Sequence, residues 1–225
     1  MTAERLPEQS GPAAGLLVVV AVPAEAEAVR RGLGGNAPVE VLAAGVGPAA
    51  AAAGTAVALA RGRFRLVLSA GIAGGFAPAA PIGSLVVADA LVAADLGAET
   101  PDGFADVAEL GFGTVRHAAP DGVVELVAAA TGGAVGEVLT VSTVTGSAAR
   151  AEQLRSRHPR ALAEAMEGFG VAEAAARFGL AAGELRAVSN AVGPRDRAAW
   201  RIGEALAALE RAFAALPVSR LLQEV

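Results

Sequence analysis

The chain has 225 residues, 54% of them hydrophobic, which suffices for one sizeable core, and no polar linker divides it. All 18 basic residues are arginine, the net charge is −5 without a basic block, and cysteine is absent; nucleic-acid binding, disulfides, thiolate catalysis and cysteine metal sites are excluded. Only His117 and His158 remain as imidazole candidates, both read as surface residues, so neither a metal nor a cofactor is expected.

Residues 1–14 carry Pro7, Gly11 and Pro12 without periodicity and are expected to form a flexible tail ahead of a single domain over 15–225. The apolar run Leu16 to Val22 is about a third of the ~20 residues that span a bilayer. Glu4 and Glu8 stand where a secretory signal would be positive, so a cytoplasmic protein without a membrane partner is expected. The same run predicts a buried strand, and Pro23 opens a helix to about Leu33. Val39 to Ala44 predicts a second strand, ending in Gly45-Val46-Gly47, before an alanine-rich helix over Pro48 to Ala60.

Leu66 to Ala70 predicts a third strand, closed by a loop, Gly71-Ile72-Ala73-Gly74-Gly75, whose glycines permit close backbone approach. Ser84 to Val92 reads as a strand, and Ala93 to Pro120 as a long loop excursion. Asp121 to Ala130 then predicts a helix and Val138 to Val144 a strand. Between Arg160 and Phe178, alanine and glutamate favour one helix that Gly168 and Gly170 interrupt. Leu185 to Val188 is a short strand, and the spacing of Ile202, Leu206, Leu209 and Phe213 predicts a helix over Ala198 to Leu216. The alternation predicts an α/β fold: a single-domain three-layer α/β/α sandwich around a central mixed, largely parallel sheet.

Gly45-Val46-Gly47 has the position of a dinucleotide fingerprint, yet no acidic residue falls between Glu40 and Asp89 to bind a ribose, so a tight turn is the better reading. Gly71 to Gly75 is either a cradle for a phosphate or ribose or simply a turn. Glu25 and Glu27 alone would be ordinary first-turn acids. Glu167 differs, because Ala165, Met166, Gly168 and Phe169 give it little polar company, and a buried carboxylate is costly unless hydrogen-bonded or used. Glu25, Glu167 and Asn190 each fall at or just beyond a strand end, where open α/β sheets bind ligands.

In order along the chain, Ala21-Val22-Pro23-Ala24-Glu25, Gly45-Val46-Gly47, Ala70 to Gly75, Ala165-Met166-Glu167-Gly168 and Arg186-Ala187-Val188-Ser189-Asn190 resemble the nucleoside phosphorylase and nucleosidase superfamily. The likeness runs from about Gly15 to the C-terminus and points to the methylthioadenosine/S-adenosylhomocysteine nucleosidases and their futalosine-hydrolysing relatives. It implies a strand over Leu162 to Glu167, with a helix beginning near Gly168. It further implies that Met166 and Glu167 hold the ribose, that Glu25 activates water, and that Ile72, Ala73 and Gly74 line the sugar side. Arg186 would steady the glutamates, Ser189 and Asn190 would serve substrate and base, and Thr143 to Ser147, including Thr145 and Gly146, would lie against the base.

Family phosphorylases grip phosphate with a Gly-Asp and arginine pattern after the first strand. Here that place reads Val22-Pro23-Ala24-Glu25 with no arginine until Arg30, which favours water as nucleophile. Asn190 stands where 6-aminopurine nucleosidases carry aspartate. A 6-oxopurine offers two acceptors on its O6/N7 edge, so an amide donor suits it and a carboxylate would repel it; the plain alternative is that Asn190 caps the turn before Pro194. Together with Asp95-Leu96-Gly97-Ala98-Glu99 and Ser189 to Asp196, this resembles the branch that splits futalosine into dehypoxanthine futalosine and hypoxanthine for menaquinone biosynthesis. An inosine-type phosphorylase, a 6-aminopurine nucleosidase and a non-catalytic nucleoside-binding protein are the alternatives. Phe76, Phe104, Phe112 or a neighbouring subunit of a homo-oligomer would supply an apolar groove for the carboxyphenyl end.

Overall fold

The structure, a computed structural model, describes residues 15–35, 38–101 and 103–225; the expected tail over 1–14 lies outside them. β1 (Leu16–Val20) is buried on both faces, as a continuous run of branched apolar residues requires, and Pro23 begins α1 (Pro23–Leu33). There follow β2 (Val39–Ala43), α2 (Pro48–Arg61), β3 (Leu66–Gly75), β4 (Leu85–Ala93), β5 (Gly97–Thr100), β6 (Gly103–Asp106), β7 (Arg116–Ala118) and α3 (Asp121–Thr131). The chain continues with β8 (Ala134–Thr140), α4 (Ala148–Arg157), β9 (Ala161–Ala165), α5 (Gly168–Arg177), β10 (Ala181–Ala191), α6 (Ile202–Ala215) and α7 (Val218–Leu221).

The central sheet is mixed and mainly parallel: β1 pairs in parallel with β2 and β3, β10 with β3, and β8 with β4 and β9. β10 also pairs antiparallel with β4, and β3 antiparallel with β9, so the order β10-β4-β8-β9-β3 returns to β10. The sheet therefore curls into a closed five-strand ring with β1 and β2 as an open extension. Closure removes edges at the strands that carry the site and fixes their C-terminal halves from both sides. Helices cover both faces: α1, α3 and α6 pack on one, α2 and α5 on the other.

Several expectations change. Gly71 to Gly75 is strand, because β10 pairs with it from Arg186 opposite Gly71 to Ala191 opposite Gly75, and β9 covers its far end. The same pairing extends the short strand expected at Leu185 to Val188 into eleven residues. The excursion between Ala93 and Pro120 contains the β5–β6 hairpin and β7. β8 starts and ends earlier than expected, at Ala134 and Thr140, since parallel pairing with β4 sets its register. Helix α4 was not expected; Ser147 caps it by accepting from the Arg150 N–H at 3.2 Å. β9 ends at Ala165, so Met166 and Glu167 form the turn into α5 rather than the strand end.

Candidate active site

The site is built on the second half of β3. Glu25, third residue of α1 and 3% exposed, folds back so that Oε2 accepts from the Ala21 and Val22 N–H groups at 3.0 and 3.1 Å. Its other oxygen, Oε1, accepts from the Ile72 N–H at 2.9 Å. Three backbone donors and a helix N-terminus thus satisfy a carboxylate that burial would otherwise penalise.

Arg186 lies opposite Gly71 and is fully buried. Its Nε donates to Glu184 Oε1 at 2.7 Å and its Nη2 to Ser69 Oγ at 3.0 Å. Nη1 reaches Glu167 Oε2 at 3.3 Å and the Ile72 carbonyl at 3.5 Å. Glu167 is 5% exposed and accepts from Gly47 N–H at 3.2 Å and from Met166 N–H at 3.3 Å. Burial pulls the Arg186 guanidinium down, but Glu184, Glu167 and Glu25 outweigh it and hold it above its ordinary value. Burial pushes the Glu184 carboxyl up, against the pull of Arg186.

Gly71 must be glycine for a steric reason: a Cβ there would stand 2.5 Å from Glu25 Oε1 and 2.8 Å from Arg186 Nη1. The glycines of this segment therefore admit the protein's own charged side chains and strand neighbours. A Cβ on Gly75 would meet the Ala80 carbonyl at 2.1 Å.

Asn190 enters through a β-bulge, a register shift against β3 between Val188 and Asn190 that re-aims the strand. The buried Ser189 hydroxyl lies 2.9 Å from Asn190 Oδ1 and 3.3 Å from the Ala73 carbonyl. Asn190 Nδ2 donates to the Ala191 carbonyl at 3.1 Å. The opposite amide orientation would set two oxygens 3.1 Å apart, so the Ala191 carbonyl fixes the choice, the Ser189 hydroxyl accommodates it, and the NH₂ group is turned along Gly74. The segment beyond is tied to the loop between β8 and α4 by the Arg195 N–H donating to the Gly146 carbonyl at 3.3 Å.

Thr145 is buried and bound twice by Glu164: its N–H donates to Oε1 at 2.8 Å and its hydroxyl to Oε2 at 2.5 Å. Burial raises the Glu164 carboxyl above the ordinary range in spite of these bonds. Gly146 and Ser147 are exposed, Ala73 is buried, and Ile72, Gly74 and Met166 are half-buried.

Glu25, Glu167, Arg186, Ile72 and Met166 thus meet directly through hydrogen bonds, and Ala73, Gly74, Ser189 and Asn190 continue along the β3–β10 pair. Thr145, Gly146 and Ser147 lie on the β8–α4 loop, anchored to β9 through Glu164 and to the segment after β10 through Arg195. The histidines fall outside this cluster and are half-buried rather than on the surface. His117 pairs with Glu173 at 2.9 Å and packs on Phe169, and burial lowers His158. Of the expected groove residues, Phe76 is only 3% exposed in a secondary core, Phe104 lies under the Arg157 guanidinium, and Phe112 is 81% exposed.

Glu184, Glu164 and Ser69 escaped the sequence reading. A strand repeats every two residues, so Glu184 and Arg186 share one face of β10, and an acid two residues before an arginine in an apolar run was the available signal. Among the described residues, no group of three or more His, Cys, Asp or Glu is placed to hold a metal, and no helix is long and apolar enough to cross a membrane.

The phosphorylase superfamily profile matches residues 10–223. The futalosine hydrolase of Acidothermus cellulolyticus is 52% identical over 218 residues, covering 89% of each chain. That of Streptomyces coelicolor is 71% identical over 153 residues, which span 68% of this chain and 65% of the relative. Among solved structures, an adenine complex of the methylthioadenosine/S-adenosylhomocysteine nucleosidase of Colwellia psychrerythraea 34H superposes with a TM-score of 0.75 at 18% identity, covering 93% of this chain and 95% of that one. The native futalosine hydrolase of Helicobacter pylori strain 26695 gives 0.75 at 20% identity, covering 94% and 98%. Such identities speak for the fold alone, whereas the profile and the Acidothermus relative decide the grouping: the chain belongs to the phosphorylase superfamily and, within it, to the futalosine hydrolase family.

Proposed function

We infer that the protein hydrolyses the N-glycosidic bond of futalosine, with water as nucleophile, releasing hypoxanthine and dehypoxanthine futalosine in menaquinone biosynthesis. Cleavage of this bond develops positive charge on the ribose, and a buried carboxylate beside the sugar stabilises that charge. In this reading Glu167 and Met166 hold the ribose hydroxyls, Ile72, Ala73 and Gly74 flank the sugar, and Glu25 takes the proton of the attacking water. Arg186 keeps Glu167 oriented. Thr145, Gly146 and Ser147 face the base, and no metal or organic cofactor takes part.

The observation that carries the reading is the fixed amide of Asn190, held with Oδ1 toward Ser189 and its donors toward Gly74. A donor there matches the paired acceptors of a 6-oxopurine. Water rather than phosphate is supported by the fate of the first arginine after β1: Arg30 donates to the Val41 carbonyl at 2.7 Å and is committed to β2. We also place the protein in the cytoplasm as a homo-oligomer. Exposed Val46 and Val57, 56% and 50% accessible beside and on α2, supply apolar surface that a second copy would cover.

Futalosine, inosine and methylthioadenosine, each incubated with and without phosphate and followed by chromatography of the free base, test the assignment together. Hypoxanthine from futalosine without phosphate is expected. A sugar 1-phosphate would replace it with a phosphorylase, and adenine as the faster product would replace it with an aminopurine nucleosidase.

A further inference from the structure

Three buried carboxylates face one buried guanidinium. Glu25, Glu167 and Glu184 are 3%, 5% and 1% exposed and Arg186 is 0% exposed, so acids outnumber the cation where water cannot screen the excess. Glu25 and Glu167 each receive backbone N–H donors as well. Glu184 has Arg186 Nε on Oε1, while its Oε2 has no hydrogen-bond partner. That oxygen lies against Gly168, where a Cβ would stand 2.2 Å away, at the N-terminus of the ten-residue α5. The groups that face Glu184 are Arg186 on its own strand, Glu167 at the β9–α5 turn and the Ser69 hydroxyl on β3, with Glu25 of α1 beyond the guanidinium.

For folding alone, apolar side chains in place of Glu184 and Arg186 together would cost no more than this buried pair with its unsatisfied oxygen. What the carboxylate supplies is geometry and charge. By occupying Nε it fixes the rotation of the planar guanidinium and leaves the Nη1 edge for Glu167 and the Ile72 carbonyl. In its ionised form, paired with the guanidinium at 2.7 Å against the upward push of burial, it adds its charge to that of the two carboxylates on the substrate side, which strengthens the cluster as a proton acceptor and as a counter-charge for a ribosyl cation. We propose that Glu184 is a positioning residue for the hydrolytic site, orienting Arg186 toward Glu167 and supplying the surplus negative charge on which the cluster works. This inference rests on the hydrolase reading above.

The test is the pH profile of kcat/KM for futalosine, from about pH 4 to about pH 9, for wild type, Glu184→Gln and Glu184→Asp. Glu184→Gln should lower kcat by about 10-fold or more, leave KM within about 2-fold, and move the acidic limb about one unit toward lower pH. Glu184→Asp keeps the charge but draws it back by one methylene; its limb should stay with wild type and its kcat should fall between the other two. A Glu184→Gln enzyme with wild-type kcat and an unmoved limb would overturn the proposal. Should Glu184→Gln not fold, Glu184→Asp decides: reduced kcat with an unmoved limb supports the proposal, and wild-type kcat refutes it. A wild-type enzyme that releases no base defeats the hydrolase reading itself, a result separate from an active wild type with an unmoved limb in the variant.

Discussion

The two halves of the site are built on opposite principles. In the half proposed to hold the sugar, Glu25, Glu167, Glu184 and Arg186 are all at most 5% exposed, anchored by four elements and backed by the closed ring of strands. In the half proposed to face the base, Gly146, Ser147 and the segment after Asn190 are largely exposed and held by a few contacts, chiefly Glu164 to Thr145 and Arg195 to Gly146. Charge stabilisation needs dipoles that do not reorganise during reaction, which a rigid, dry cluster provides. Discrimination between bases needs only a few placed donors on a surface the substrate can enter. Sugar-side changes should therefore abolish turnover, whereas base-side changes should redirect it.

The largest effect is expected at Arg186. Arg186→Met leaves Glu167 and Glu184 buried without their cation and should cost about 3–5 kcal/mol of folding stability, read from urea unfolding; a loss under about 1 kcal/mol would mean the cluster is not coupled as its distances imply. Next come Glu25→Gln and Glu167→Gln, each expected to lower kcat at least about 10²-fold in a folded protein. Near-normal base release from either would remove its assigned role and blur the contrast between the halves.

On the base side, Asn190→Asp should keep the sugar machinery and change the preference, lowering the futalosine to methylthioadenosine ratio of kcat/KM by about 10-fold or more. An unchanged ratio would dismiss the amide as the selecting group. Thr145→Val removes the hydroxyl held by Glu164 and should raise KM by about 3- to 10-fold with little change in kcat, consistent with one lost hydrogen bond.

The smallest effect concerns pH. Burial holds the Glu164 carboxyl above the ordinary range, so the native state binds that proton more tightly than the unfolded chain. Wild type should lose stability as pH rises from the unfolded carboxyl value through the raised native one, and Glu164→Gln should gain relative to it over that window. Thermal unfolding of both proteins across the window checks the sign, and parallel curves would contradict it.

Much of the scaffold was legible in the chain. β1, α1, α2 and α6 follow from a branched apolar run, prolines at helix starts and helical spacing, all local effects. The glycine segment 71–75 was not, because its strand character comes from β10 and β9, which lie about ninety or more residues away. Glu167 stood out as an acid in an apolar setting, whereas Glu25 alone looked like an ordinary first-turn acid; that Arg186 steadies them came only from the family resemblance, since local residues do not say which strand lies beside Gly71. Glu184 shows the same gap more sharply, because an acid in a short apolar run has no visible purpose until the fold packs the N-terminus of α5 against it.

By itself the sequence determined the alternation of strands and helices, the excess of acid over lysine-free basic charge, and the kinds of groups offered for chemistry. Those properties depend on residue type and on neighbours within a few positions. Tertiary structure alone decided that Arg186 faces Glu184 and Glu167 together, that a bulge turns Asn190 and Ser189 toward each other, and that Glu164 reaches Thr145. Each of these depends on strand register, and a register is set by the packing of the whole sheet rather than by any stretch of the chain.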